Sequence, residues 1–568
     1  MQRQQGDAQH GFQLRSSTIG PLPIVNALLD RLGVNDLLDQ AVATDPRAKL
    51  SPARTLGVLL RTIVCERAPL YALAEWAADR DAAVLGLPTD GAKVLNDDRL
   101  GRALDRLFDA DRATLTSAVA LSAIRRFGIA LDELHNDSTS ITLQGSYAEA
   151  TGQMVRGQRT AQVIRGHSKD YRPDLKQLLW VLTVAADGAV PVHYRVYDGN
   201  TSDVEPHTEI WDTLVKLVGR ADFLYVADSK LATRENMDHI ASLKGRFLTV
   251  LPRTRSEDAD FRAWVQDHRP EWVLVKNRET TLEGIPDAYF MCEAPWPSAE
   301  GYRVVWVLSS TKRHHDAESR RARLRRATEG LESLTERLSG PKARIRTKAG
   351  ADQAAQAILA ETHTQPFFEI RLEERPEPTF QQENPGRPSS HTRYRRADRT
   401  RIALSWKILD DQVAATAASD GMFPFITNDR QLSLSELLDR YKYQPCLERR
   451  HEQLKSGLEV VPMWLKSIAR IEAILLLYYI ALLVRALLER EIRRRMKDED
   501  LAALPLYPEE RSCRAPSAER ILAIFSPLQR HELVAGGRTI QNFQPQLSLT
   551  QQRVLRLLGL PYSIYDAS

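Results

Sequence analysis

Apolar positions change period along the chain. From 22 to 110 they recur at helical spacing, with Val25, Leu28, Leu29 and Leu32 on one stripe and Gly33, Pro52, Pro69 and Pro88 as punctuation. That pattern predicts an all-α segment. From 129 the apolar runs become β-like: 129–143 predicts a strand, and 178–186 and 190–197 predict two more, joined at Asp187-Gly188. That dipeptide is a strong hairpin signal, so three consecutive antiparallel strands are expected. A helix over 201–217, capped by Thr201 or Ser202, comes next. A short strand at 223–227, a helix at 234–243 and a strand at 247–251 complete the order β-β-β-α-β-α-β.

Past Pro252 this regularity is lost for about 165 residues, which hold a charged helical stretch at 312–338 and a loop-like tract rich in Pro, Glu and Gln at 374–391. This stretch has the character of an insertion. A strand is predicted at 423–427, a short segment at 435–440, a helix opening at Pro445 and a long helix over 464–495. The expected domains are an all-α module at 1–120, a core at 121–255 resumed at 421–500, a mixed insertion at 256–420 and a mixed tail at 501–568.

Composition adds bounds. At about 150 residues per domain, 568 residues make roughly three or four domains, each large enough for its own core. Hydrophobic residues at 43% and charged residues at 27% exclude a disordered or collagenous chain. A net charge of +4 leaves the question of a polyanionic partner to local clusters. Cys65, Cys292, Cys446 and Cys513 lie far apart without a C-x-x-C pair, which argues against structural zinc and disulfides and fits a reducing compartment. Residues 1–15 show no apolar signal region, so a cytoplasmic protein is expected. The apolar run 473–484 falls short of the roughly 20 residues needed to cross a bilayer and is expected to be a buried helix, with no membrane partner.

Three segments place a carboxylate at the end of an apolar element: Asp137 in the strand at 129–143, Asp228 after 223–227, and Glu448 in the helix opening at Pro445. In the predicted order the first and fourth strands lie side by side, which sets Asp137 and Asp228 across one sheet. A third carboxylate from a neighbouring helix completes an oxygen-rich site suited to Mg²⁺ or Mn²⁺. Two such ions about 4 Å apart suit phosphoryl transfer, that is, nuclease or strand-transfer chemistry.

The spacing of Tyr441, Gln444, Glu448 and Lys455 resembles the Tyr-x2-Arg-x3-Glu-x6-Lys signature of one group of DDE transposases from bacterial insertion sequences. Gln444 stands where that group usually has Arg, which removes one permanent charge. Gly166-His-Ser-Lys-Asp-Tyr-Arg-Pro-Asp-Leu-Lys-Gln177 and Asp198-Gly-Asn-Thr-Ser-Asp203 resemble segments of the same group. The resemblance covers about 132–203, 223–252 and 423–491, and more loosely the N-terminal module. It implies an α/β fold with an RNase H-like catalytic core split by a mixed insertion domain and preceded by an all-α module. It implies Asp137, Asp228 and Glu448 as catalytic metal ligands for two Mg²⁺ or Mn²⁺ ions, with Tyr441, Gln444 and Lys455 toward the DNA. The implied activity is cut-and-paste transposition on double-stranded DNA, through a cleaved end or hairpin, by a homodimer at the bacterial nucleoid. The alternatives are an RNase H-like nuclease without strand transfer, or a DNA-binding derivative without catalysis.

Other residues carry two readings each. Arg393, Arg395 and Arg396, with Arg399 and Arg401 following, either grip DNA or form a solvated face, as does the cluster Arg320, Arg321, Arg323, Arg325 and Arg326. The N-terminal module either reads DNA ends or serves packing and dimerisation. His135 is either a metal ligand or a hydrogen-bonded core residue, and we leave it out of the site. Glu452 approaches the metals or pairs with Arg449 or Lys455, and Lys230 reaches a phosphate or stays in solvent. The stripe Leu475, Leu476, Tyr479, Leu482 and Leu483 is expected to be core.

Overall fold

The computed structural model describes residues 12–66, 72–88, 91–202, 204, 206–278, 286–340, 343–458, 465–507, 509–536 and 538–566. Pro69, Asp203 and Trp464 lie outside the described residues. The fold is mixed α/β, and the chain divides into two compact units, one of Met1–Thr249 with Leu438–Ser568 and one of Val250–Leu437.

The first unit holds β1 (Glu133–Leu143), β2 (Lys176–Ala185), β3 (Val190–Tyr197), α1 (Pro206–Val218), β4 (Leu224–Val226), α2 (Arg234–Ser242) and β5 (Arg246–Val250). Its strands run in the order β3-β2-β1-β4-β5. β1, β2 and β3 form an antiparallel meander, whereas β1–β4 and β4–β5 pair in parallel. The predicted element order is the observed one: β2 is a long buried apolar run and β4 a short one, and β1 is largely buried although it is polar over 135–140. The hairpin turns at Gly188 and Ala189, which have φ of 84° and 51°. α1 starts at Pro206 rather than at the expected Thr201 or Ser202; proline is well suited to the first helical turn.

Two helices complete the site's frame: α3 (Gln444–Glu452), followed by a π turn at Gln453–Gly457, and α4 (Ile468–Asp498). α4 is buried nearly all round, and the stripe Leu475, Leu476, Tyr479, Leu482 and Leu483 is fully buried. It is long and apolar enough to cross a membrane, yet 89% of its most apolar window is buried inside the protein. Tyr194 of β3 stacks between Trp180 of β2 and Tyr479 of α4, with ring centroids 4.6 and 4.7 Å apart, which seats α4 on the sheet. The helices Pro52–Cys65 and Asp97–Asp109 pack on α4. The N-terminal region is not wholly helical: Gln13–Thr18 is a strand paired with Gln529–Ala535 from the far end of the chain. Its partner is more than 500 positions away, so no local signal distinguishes it.

The second unit overturns the expectation of lost regularity. It contains the antiparallel strands Met422–Thr427, Arg303–Ser309, Asp287–Glu293 and Val273–Arg278 in that spatial order, with helices at Ser256–Asp267, Ser310–Ser339 and Lys348–Glu361. The tract 374–391, expected as a loop, belongs in large part to a long ribbon of Phe368–Gln382 and Tyr394–Ile408. Arg320 is buried and bound through both nitrogens to Asp420 at 2.6 and 2.7 Å, so it is a structural ion pair rather than part of a DNA-facing cluster.

Candidate active site

In the parallel ladder His135 pairs with Val226, and the same register carried two residues further sets Asp137 beside Asp228. Asp137 continues along β1, whereas Asp228 lies past the end of β4 and caps the turn Ser229–Leu231. They line one small cleft with Asn136, Ser138, Val181, Pro206 and His207. Backbone groups fix their rotamers: the Ser138 amide donates to Asp137 at 2.8 Å and the Lys230 amide to Asp228 at 3.1 Å. Thr249 of β5 donates to the Asp228 carbonyl at 2.5 Å, tying the turn after β4 to the next strand.

Helix α3 packs on β1 and brings the third acid. Its anchor is Arg450, which is 2% exposed. Arg450 donates to the carbonyls of Ala189 and Gly188, both at 2.9 Å, and to Glu489 of α4 at 2.8 Å. Helix α3 opens at Gln444, one residue earlier than expected, so Glu448 falls in the second turn and its side chain is exposed. The helix dipole is weak there. Glu448 does not line the cleft, but its charge is felt in it. Burial pushes the Asp137 carboxyl up to about 7, against the nearby Lys169 charge and with the help of Asp228 and Glu448. Tyr441, half-buried at the end of the helix Leu434–Tyr441, is raised by burial and by the charges of Asp228, Asp137 and Glu448. Four of the residues singled out from the sequence thus share one electrostatic environment.

The rest are placed differently. Lys455 lies in the π turn and pairs with Asp170, so its charge is already compensated. The Gln444 side-chain oxygen is buried and accepts no hydrogen bond. Arg393, Arg395 and Arg396 are exposed on the second unit's ribbon, Arg396 beside Asp398 at 3.2 Å. His135 is fully buried and bonds Glu133 through Nε2 at 2.8 Å, which makes it a core residue. Glu452 and Lys230 are exposed.

Sequence reasoning passed over two neighbours of Asp137. Lys169 donates its ammonium to the Ser138 carbonyl and hydroxyl at 2.8 and 2.6 Å, and the next residue, Asp170, holds Lys455. The tract around Gly166 was singled out, yet nothing in it said which strand it would meet. His451, one turn beyond Glu448, is 6% exposed, and its Nδ1 stands 3.6 Å from Asp137. Burial, with the Lys455 and Lys169 charges, pushes this imidazole down to about 3, so it is neutral, and its Nε2 is buried without a partner.

Among the described residues no group of three His, Cys, Asp or Glu side chains stands close enough to enclose a metal ion. The preorganised part is the pair Asp137 and Asp228. Their chemistry fits a hard divalent ion: the donors are carboxylate oxygens, and burial first, with the Asp228 and Glu448 charges adding to it, disfavours the charged form of Asp137 when no cation is near.

A family model described as a domain of unknown function, DUF4277, matches residues 14–121. No curated protein matches the chain. Among solved structures, a piggyBac transposase synaptic complex with hairpin DNA is similar at 11% identity over 50% of this chain and 60% of that one, with a TM-score of 0.28. A pre-cleavage Mos1 transpososome is similar at 14% identity over 36% of this chain and 60% of that one, with a TM-score of 0.14. A Mos1 paired-end complex with the left transposon end gives 14% identity, 39% and 66% coverage, and a TM-score of 0.14. The chain therefore spans about three-fifths of the length of the first two structures.

Proposed function

We propose that the protein is a transposase-like enzyme that transfers phosphoryl groups on double-stranded DNA, with Asp137, Asp228 and Glu448 as its catalytic carboxylates in an RNase H-like core. The observation that carries this reading is the single cleft lined by Asp137 of β1 and Asp228, just past β4, two strands that pair in parallel. The packing of the Glu448 helix against β1 supports it. Asp137, Asp228 and Glu448 would hold Mg²⁺ or Mn²⁺, as two ions, which supply charge for the developing oxyanions and lower the pKa of a bound nucleophile.

The chain's own groups position the DNA. Tyr441 offers a hydroxyl and a ring beside the carboxylates. Lys455, once released from Asp170, offers a compact charge to a phosphate. Gln444, where the resembling group has Arg, offers an amide in place of a charge, and Gln444→Arg is expected to keep or strengthen end binding. Arg393, Arg395 and Arg396 add exposed charge on the second unit. The substrate we propose is the pair of ends of a bacterial insertion sequence, cut and pasted by a homodimer at the nucleoid.

The test is cleavage and strand transfer by the full chain on end-bearing duplex with Mg²⁺ or Mn²⁺. Asp137→Asn, Asp228→Asn and Glu448→Gln are each expected to abolish both steps while DNA binding persists, and retained activity removes that residue from the site. One observation favours a second reading, a derivative that binds without cutting: Glu448 is exposed and no three acids close round an ion among the described residues. Binding without cleavage in either metal would establish that reading.

A further inference from the structure

The strands Phe368–Gln382 and Tyr394–Ile408 form an antiparallel ribbon, each 15 residues long. Its base is packed, with Phe368, Ile402 and Leu404 buried in a cluster with Leu331, Leu334 and Ala355. Past the pair Glu374–Ile402 no residue of either strand is buried. At about 3.4 Å per residue, 375–382 run on about 25 Å past the packed base.

The outer half has three properties that select a partner. Its first strand carries Pro376 and Pro378. The Glu383 amide donates to the Arg393 carbonyl at 3.0 Å, and alternation from that bonded pair puts both prolines where the backbone nitrogen faces away from the partner strand. The first strand's outer edge thus lacks two donors and is a poor template for another strand. Next, residues 379–399 carry Arg387, Arg393, Arg395, Arg396 and Arg399 against only Glu383 and Asp398, a strong local excess of positive charge. Finally, Phe380 and Tyr394 are 67% and 52% exposed. Phe380 pairs with Arg396 and Gln382 with Tyr394, so the two aromatic rings and Arg396 share one face, while Arg393, Arg395 and Arg399 fall on the other.

We infer that the outer ribbon inserts into a groove of duplex DNA. Two strands about 4.8 Å apart fit a major groove about 12 Å wide. One face then meets phosphates through Arg393, Arg395 and Arg399, and the other lays Phe380, Tyr394 and Arg396 against sugar and base edges. The inference rests on DNA as the partner in the proposed function and adds where the duplex is gripped.

The experiment titrates salt against the affinity of the full chain for a random-sequence duplex in EDTA, which separates binding from cleavage. The triple variant Arg393→Ala, Arg395→Ala, Arg399→Ala is expected to lose at least tenfold in affinity and to flatten the dependence of log affinity on log salt by about 2 to 3. Phe380→Ala with Tyr394→Ala is expected to lose about tenfold with the salt slope unchanged. All five side chains lie on the ribbon's outer half, so unchanged melting checks that the variants fold. Wild-type affinity and slope in the triple variant overturn the inference. So does loss of self-association in sedimentation with DNA affinity intact, since the ribbon would then join copies of the chain. A wild-type chain that binds no DNA overturns the proposed function too, whereas carboxylate-dependent cleavage with a dispensable ribbon overturns this inference alone.

Discussion

Helix α3 borders two clusters of buried charge built on opposite rules. Around Arg450 every charge has a counterpart: it meets Glu489, 1% exposed, and two carbonyls of the β2–β3 turn, while Arg490 meets Asp187 at 2.5 Å and Glu491 at 2.7 Å. Burial alone would push the Glu489 carboxyl up, but Arg450 and Arg493 bring it below its usual range. Around Asp137 the balance is reversed. Burial raises its carboxyl to about 7, two further carboxylates add to the rise, and His451 beside it is neutral with an unbonded nitrogen. Buried charges that hold a fold are paired, whereas groups kept in a state they would not choose in water concentrate at functional sites. One helix carries both, so the first cluster fixes the geometry that the second uses.

Breaking the balanced cluster has the largest effect. Arg450→Met leaves Glu489 buried without its main partner and is expected to cost about 3–5 kcal/mol, seen as a fall in the midpoint of chemical unfolding. The double variant Arg450→Met, Glu489→Leu is expected to recover a large part of that loss, because the cost of the single change lies in the orphaned charge. If the double variant is as unstable as the single one, the cluster acts through shape rather than charge balance.

The unbalanced cluster responds in the opposite direction. The Asp137 carboxyl titrates near 7 when folded and near 3.8 otherwise, so the native state binds more protons than the unfolded one between those values. Stability of the metal-free protein therefore falls as pH rises from about 4 to about 7. Asp137→Asn removes that loss and is expected to stabilise the metal-free protein at pH 8 by on the order of 2 kcal/mol, with no gain below pH 4. Melting across pH checks it, and a destabilised variant at pH 8 would place Asp137 in a compensated environment. Added Mg²⁺ or Mn²⁺ is expected to raise the melting temperature of the wild type and not of the variant.

The contrast also explains what the sequence made legible. β2 and β4 are buried apolar runs and the Asp187-Gly188 turn is a local signal, while β1 is largely buried in spite of the polar stretch 135–140; their order brings Asp137 to Asp228. The spacing of Tyr441, Glu448 and Lys455 singles out Glu448 but not its turn on the helix, because the start at Gln444 depends on packing. Arg450 carries no sequence signal of its own, and its burial against a distant turn is a tertiary fact. The strand at 402–406 is legible as an apolar run, but the ribbon's outer half reads as a loop, because it is exposed and carries prolines and charges and so shows neither the alternation nor the apolar run of a core strand. Lys169 and Asp170 are adjacent in sequence, yet one reaches β1 and the other the turn after α3.

That adjacent pair sharpens the comparison with the smallest expected change. Asp170 and Lys455 are about four-fifths buried but keep solvent at their edges, so Asp170→Asn is expected to cost only about 1 kcal/mol. It frees the Lys455 charge while leaving Lys169 on Ser138, and so separates two roles that the tract from Gly166 to Gln177 combines. If Lys455 serves a phosphate, Asp170→Asn strengthens end binding and steepens its salt dependence by about 1, and Lys455→Met in the same chain cancels both changes. The pH profile of stability set by Asp137 stays in place, because the cation nearest that carboxyl, Lys169, is untouched. Unchanged DNA binding in Asp170→Asn would instead assign the Lys455 pair to the balanced kind, a clamp between the tract and the π turn with no charge held in reserve.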